Sequence, residues 1–444
     1  MSAVGSTPRP EPSPGDAAPS PWRRADLVRR VHLALDIVHR TLDAALAQDE
    51  PGATPAGASP PPDPMPPDVR PLLLAKVVAE AGILMRCVAG AGTPERPTAD
   101  ATSALARRLT PHARSRAVLA RLCTEPAQAI EHAAAHVYLS DLGHRDESFD
   151  RFLHDILDAD PPGGPERLPN HVLEHHWLAQ VLSGAVDAEP VDAALLARTC
   201  VASPLDVLAC STADLYAFTH VVLYATDMGR RRVDWPRPVD EIEADAEAAL
   251  AAALDADNFD IAAELLWTWP MLGLPWSAPA NFAFDLLAAA QDEFGFLPGP
   301  QYDALVAATL APARREAFVL RTSYHANIGM GILCAVTSRL GCAPSGHVAG
   351  MPADAHQVDG LLRLLPPSTR SPRALDAQAA LAPAGRAALA PLVASIVLRR
   401  AAAAHDIERL RGGLQAAVTA AWADGPAVRQ ALALLRRVTA LARL

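Results

Sequence analysis

Lysine is all but missing from this chain: of 39 basic residues, one, Lys76, is not arginine. Aromatic residues make up 5% of the 444 residues, and acidic side chains outnumber basic ones by 50 to 39, for a formal net charge of -11. A protein that tracks phosphate backbones carries basic stripes, so nucleic acid is excluded as an expected partner. Scarce lysine with abundant alanine fits the coding bias of a GC-rich genome, and arginine runs such as "GRRRV" at 229–233 read as solvated loop. No apolar run reaches the roughly 18 residues of a membrane span. The first 23 residues lack the apolar centre of a secretory leader. The six cysteines contain no Cys-x-x-Cys pair and read as reduced thiols of a cytoplasmic protein. There is no Gly-rich dinucleotide fingerprint, Walker loop or Gly-x-Ser-x-Gly elbow, so no nucleotide cofactor and no serine-hydrolase chemistry is expected.

Alternation of β-branched and polar residues, the mark of strands, is also missing. What remains is helical periodicity broken by Pro/Gly segments such as "DADPPGGPERLPN" and "WPMLGLPWSAP", which predicts an all-α fold. The expected organisation is a disordered Pro-rich tail (1–23), an N-terminal helix with a Pro-rich linker (24–71), a helical domain carrying the site (72–373) and C-terminal Ala/Leu/Arg helices (374–444) suited to packing or homo-oligomerisation.

Three segments carry chemistry-bearing residues. In "DLYAFTHVVLYATDMG" (214–229), a helix would place Tyr216, His220, Tyr224 and Asp227 on one narrow stripe of an otherwise apolar surface. Histidine moves protons near neutral pH, and an aspartate can act as an acid when desolvated. His220 and Asp227 would stand about 10 Å apart along the helix, able to flank one ligand. The alternative is a core histidine, with Asp227 simply ending the helix. In "DADNFDIAAELLWTW" (255–269), Asp257, Asp260, Glu264 and Trp267 share a face. Capping explains aspartates at a helix start, but Glu264 lies deeper, among apolar side chains and near Trp267 and Trp269, where a carboxyl holds its proton more tightly. In "RTSYHANIGMGILCA" (321–335), Arg321, Tyr324 and His325 face one way, suited to an anion or carboxylate, while Gly329 and Gly331 allow close approach of another element.

Metal-like spacings exist too. "HVLEH" (171–175) carries the letters of inverted-zincin peptidases, with His171, Glu174 and His175 on one side of a helix, although the strands of that family are missing. "EHAAAH" (131–136) offers a further histidine pair, on a helix where such pairs are usually solvated. Cys334, Cys342 and His347 could form a Cys/Cys/His zinc set like that of lanthionine cyclases, without their Cys-His-Gly signature. No metal is assigned.

Gln291, Gly295 and Phe296 loosely resemble the Gln-x-x-x-Gly-aromatic repeat of α/α-toroid cyclases, and "DADN" resembles the acid motif of class II terpene cyclases with Asn258 in place of an aspartate. A helix closed by glycine would give the same turn letters. The stretches "YAFTHVVLYATDMG", "ELLWTWPMLG" and "YHANIGMG" are similar to an uncharacterised actinobacterial protein family found among specialised-metabolite genes. These likenesses imply an α/α-barrel (toroid)-like domain. The expected function is acid–base cyclisation, elimination or addition on a hydrophobic or peptidic intermediate, with His220, Asp227, Asp260, Glu264 and His325 catalytic. Tyr216, Tyr224, Trp267, Trp269, Arg321 and Tyr324 would line the substrate. The rivals are a helical binding protein for a peptide or partner enzyme, and a zinc peptidase using His171, Glu174 and His175.

Overall fold

A computed structural model describes residues 22–49, 72–90, 96–159, 164–186, 189–345, 355–365, 372–419 and 424–441. All but the last two residues of the expected tail, nearly all of the linker, and His347 lie outside these residues. Every described element is helical, so the all-α expectation holds. Nine helices matter for the site and its support: α1 (Arg24–Asp49), α2 (Leu74–Ala89), α3 (Pro169–Ser183), α4 (Thr212–Ala225), α5 (Val239–Asp255), α6 (Phe259–Leu265), α7 (Ala278–Phe294), α8 (Pro312–Leu340) and α9 (Ala390–Ala403).

The centre is α8, which packs along α1 and against α2 and α6. Pro312 starts it, where a missing amide costs no helical hydrogen bond, and Gly341 at φ 64° closes it 29 residues later. Beside it, α4 packs on α3 and α6, while α5 packs on α6, α7 and α9. The C-terminal helices Ile407–Thr419 and Pro426–Leu441 fold back on α9. One continuous apolar core therefore joins residues as distant as Leu27, Leu84, Phe218, Leu333 and Val397.

Close approach at the centre depends on a missing side chain. A Cβ added at Gly331 would lie 2.6 Å from Ala34 Cβ of α1 and 3.0 Å from Leu84 Cδ1 of α2. Gly331→Ala is expected to destabilise the protein by about 1–3 kcal/mol through overpacking, read as a lower urea midpoint with unchanged slope.

The toroid-like turn resolves differently from the resemblance. Gln291 is buried, but its Oε1 accepts from Arg30 Nη1 (2.7 Å) and its Nε2 donates to Asn327 Oδ1 (3.3 Å). Asn327 of α8 caps the turn instead, accepting from Leu297 N (2.8 Å) and donating to Leu297 O (2.9 Å). Gly295, at φ 76°, is the left-handed cap of α7, which accounts for its place in the motif.

Candidate functional site

Helix α4 is started by a reciprocal cap, in which Ser211 accepts from the Asp214 amide while the Asp214 side chain accepts from the Ser211 amide. From that start, Tyr216, Thr219, His220 and Tyr224 fall along the side facing α3 and α6. Asn258 caps α6, so Asp260 and Glu264, one turn apart, point the same way. His325 comes from the middle of α8 and Glu80 from α2.

These groups meet. The Tyr216 hydroxyl donates to Asp260 Oδ2 (2.6 Å), and His325 Nδ1 bonds Asp260 Oδ1 (2.7 Å). His325 Nε2 lies 3.4 Å from Glu80 Oε1 and 3.9 Å from Glu264 Oε1. The Thr219 hydroxyl donates to Glu264 Oε2 (2.7 Å), and His220 Nε2 stands 3.7 Å from the same oxygen. The side chains of Asp260 and Glu264 are 7% and 1% exposed, whereas those of His220 and His325 retain 31% and 28%. The two acids are buried, while the two imidazoles keep partial contact with solvent.

Burial and neighbouring charge push these groups apart. Burial raises the Glu264 carboxyl to about 8 against the attraction of His325, with Asp260 and Glu80 adding to the rise. His325 goes the other way: burial opposes its charge, but Asp260 and Glu80 outweigh it and lift the imidazole to about 10. For Asp260, burial favours the acid, yet the charge and hydrogen bond of His325 and the Tyr216 hydroxyl hold it below the usual range. Burial, then the positive charge of His325, lowers His220 to about 4. At pH 7 the cluster thus holds a neutral imidazole, an imidazolium, a protonated carboxyl and an ionised one within a few ångströms. Such divergence marks separate acid and base roles.

The same shifts predict a stability profile. Glu264 rises in the fold from its ordinary 4.5 to about 8, so its contribution is fully present below pH 4.5 and lost as pH climbs to about 8. His325 rises from 6.5 to about 10, so its contribution is lost over that interval. Both fall between pH 6.5 and 8. The protein should melt at lower temperature as pH rises across this window, and Glu264→Gln should flatten the decline. An equally steep decline in the variant would exclude Glu264 as its source.

Other expected site residues sit elsewhere. Helix α4 ends at Ala225, and Asp227 (φ 45°) and Met228 (φ 58°) turn left-handed before Gly229. This carries Asp227 off the stripe. It is 1% exposed, accepts from Arg86 Nη1 (2.6 Å) and Nη2 (3.3 Å) and from Trp177 Nε1 (2.8 Å), and ties α2 to α3. Trp267 donates to Gly329 O (3.0 Å), packing α8 beside the cluster rather than lining it, and Trp269 donates to Glu243 Oε1 (3.2 Å) and stacks on Trp276. Arg321 has no ion pair with the cluster among the described residues, and burial lowers its guanidinium. Tyr324 lies edge-on to His325, 6.3 Å between ring centres. Tyr224 donates to Glu174 Oε1 (2.9 Å), and burial raises the Glu174 carboxyl. His175 bonds Glu131 Oε1 (3.1 Å) instead of joining His171 and Glu174. Among the described residues the metal-capable group is Asp260, Glu264 and His325.

Glu80, Thr219 and Lys76 were not anticipated. The signal for Glu80 was present, since it is the one acidic residue of "LAKVVAEAGILMRCVA". Lys76, one turn earlier, holds it at 3.5 Å. Lys76 also lies on the wall of a neighbouring hollow of about 540 Å³, mostly apolar, shared with Leu74, Val78, Ala113, Val118 and Glu131.

No curated protein and no solved structure matches the chain. A protein-family match spans residues 39–335 and takes in every member of the cluster, from Glu80 to His325, but ends before the C-terminal helices. On that match, over more than half of its length, the chain belongs to the family described as Domain of unknown function (DUF6895).

Proposed function

We propose that this protein is an acid–base enzyme of specialised metabolism, acting in the cytoplasm by cyclisation, elimination or addition on a hydrophobic or peptidic intermediate. One observation carries the reading. Neutral His220 stands 3.7 Å from the Glu264 carboxyl, which holds its proton to about 8. A base and an acid so placed can remove a proton from one atom of a bound molecule and supply one to a neighbouring atom. His325, fixed by Asp260, supplies positive charge for a developing oxyanion or enolate. Tyr216 keeps Asp260 ionised and oriented. The apolar hollow beside Lys76 is within the usual size range of ligand sites and suits a hydrophobic chain.

The test starts from an extract of the producing cells, incubated with wild-type protein and with Glu264→Gln and followed by mass spectrometry. The wild type should convert at least one component that the variant leaves untouched, with equal helical circular dichroism for both. Equal conversion by both, or conversion by neither, would overturn the catalytic reading. Retention of an unconverted component would instead favour a helical binding protein, whose polar stripe serves only its neighbours, as Tyr224 serves Glu174.

A further inference from the structure

We infer that Asp260, Glu264 and His325, with Glu80 as a fourth donor, form a binding site for one divalent transition-metal cation. The inference rests on the cluster assigned the acid–base role: a cation there would displace the protons of Glu264 and His325 and take over the positive charge they supply. Asp260, Glu264 and His325 each offer a ligand atom, and the three atoms lie within 4.8 Å of one another. An ion bonded at about 2.0–2.2 Å sets neighbouring donors roughly 3.0–3.4 Å apart, so each side chain need move by about 1 Å or less. The His325 Nε2 to Glu80 Oε1 separation is already 3.4 Å.

One observation beyond proximity points to a cation. Glu80 Oε2 is buried and makes no well-aligned hydrogen bond among the described residues, although the Tyr324 hydroxyl also faces the Glu80 carboxylate. Glu264, 1% exposed, keeps Oε1 3.9 Å from His325 Nε2, close enough for both to reach one ion after a small shift. A buried oxygen left as Glu80 Oε2 is left costs free energy unless a positive group meets it. Three carboxylates here face a single inner imidazole, and the ammonium of Lys76 is on a side chain 57% exposed.

The surroundings have the form of an outer coordination shell. Thr219 donates to Glu264 Oε2 and leaves Oε1 toward His325 Nε2, while Tyr216 donates to Asp260 Oδ2 and a cation would have to displace His325 Nδ1 from Oδ1. His220 and His325, partly open to solvent, provide the way in. One nitrogen among carboxylate oxygens favours Mn²⁺, Fe²⁺ or Zn²⁺ over thiolate-seeking ions.

Calorimetric titration of the chelator-stripped, full-length protein with Zn²⁺ and separately with Mn²⁺, followed by metal analysis after gel filtration, decides the matter. Wild type should bind one equivalent of at least one ion and melt at higher temperature when loaded. Glu264→Gln and Asp260→Asn should each weaken binding by about 100-fold or more. Tyr216→Phe, which keeps all four donors, should still take one equivalent, as should the double variant His171→Ala, His175→Ala. Failure of the folded wild type to bind either ion overturns the site, as does binding lost in the His171/His175 variant yet unchanged in Glu264→Gln. Substrate conversion by stripped protein that never binds metal would remove the cation and leave the acid–base reading standing. Stoichiometric metal without any conversion would do the reverse.

Discussion

Asp227→Ala is expected to lose about 3–5 kcal/mol of stability, enough to unfold much of the protein at 37 °C. The Arg86 side chain is 3% exposed and that of Asp227 2%, and the pair is joined through both guanidinium Nη atoms. Removing the carboxylate strands a buried cation, which Asp141, 34% exposed, contacts only through Nε. It also takes the acceptor from Trp177 Nε1, a side chain among the largest in the core. Unpaired buried charge is far costlier than the net worth of the pair, so the loss exceeds that of an ordinary surface ion pair. Urea denaturation followed by far-ultraviolet dichroism reads it directly. A loss below about 1 kcal/mol, as for an exposed pair, would show that the pair does not hold the α2–α3 junction.

Glu264→Gln is expected to do the opposite: little change in fold and a fall in turnover of about 10²–10⁴-fold, the usual worth of a positioned general acid. The wild-type rate should rise with pH as His220 deprotonates near 4 and fall as Glu264 deprotonates near 8. The amide of the variant cannot titrate, so the alkaline limb should disappear with the activity that remains. His220→Ala should remove the acid limb instead. A variant that keeps an undiminished bell-shaped profile would assign the two limbs to other groups. The pair of experiments separates two residues that look alike in sequence: Asp227 should act on melting and Glu264 on rate.

That likeness explains where the sequence succeeded and where it misled. Glu264 was legible because a carboxylate deep in "ELLWTW" has no capping role and no access to water. Tyr216 and His220 were legible from the four-residue step of a helix. Asp227 fits the same periodicity by letter count, but the chain leaves helical geometry at Ala225 and turns through two left-handed residues. A three-residue step continues a stripe only while the helix lasts. Arg321 and Trp269 stand apart from the cluster for a different reason: each lies near one of its members in sequence, yet the direction of a side chain depends on which helix packs against it. Glu80 went unread because one glutamate in an apolar helix is as consistent with an exposed edge as with a site.

The sequence by itself determined the helical class and three of the segments that build the cluster, because periodicity, caps and Pro/Gly breaks act over a few residues. Only the tertiary structure decided that α2, α4, α6 and α8 converge, that Glu80 completes the group and that Arg86 claims Asp227. Those outcomes depend on packing between residues as far apart as Glu80 and His325, and on how burial and neighbouring charge divide the protons among them. Neither quantity exists until the helices meet.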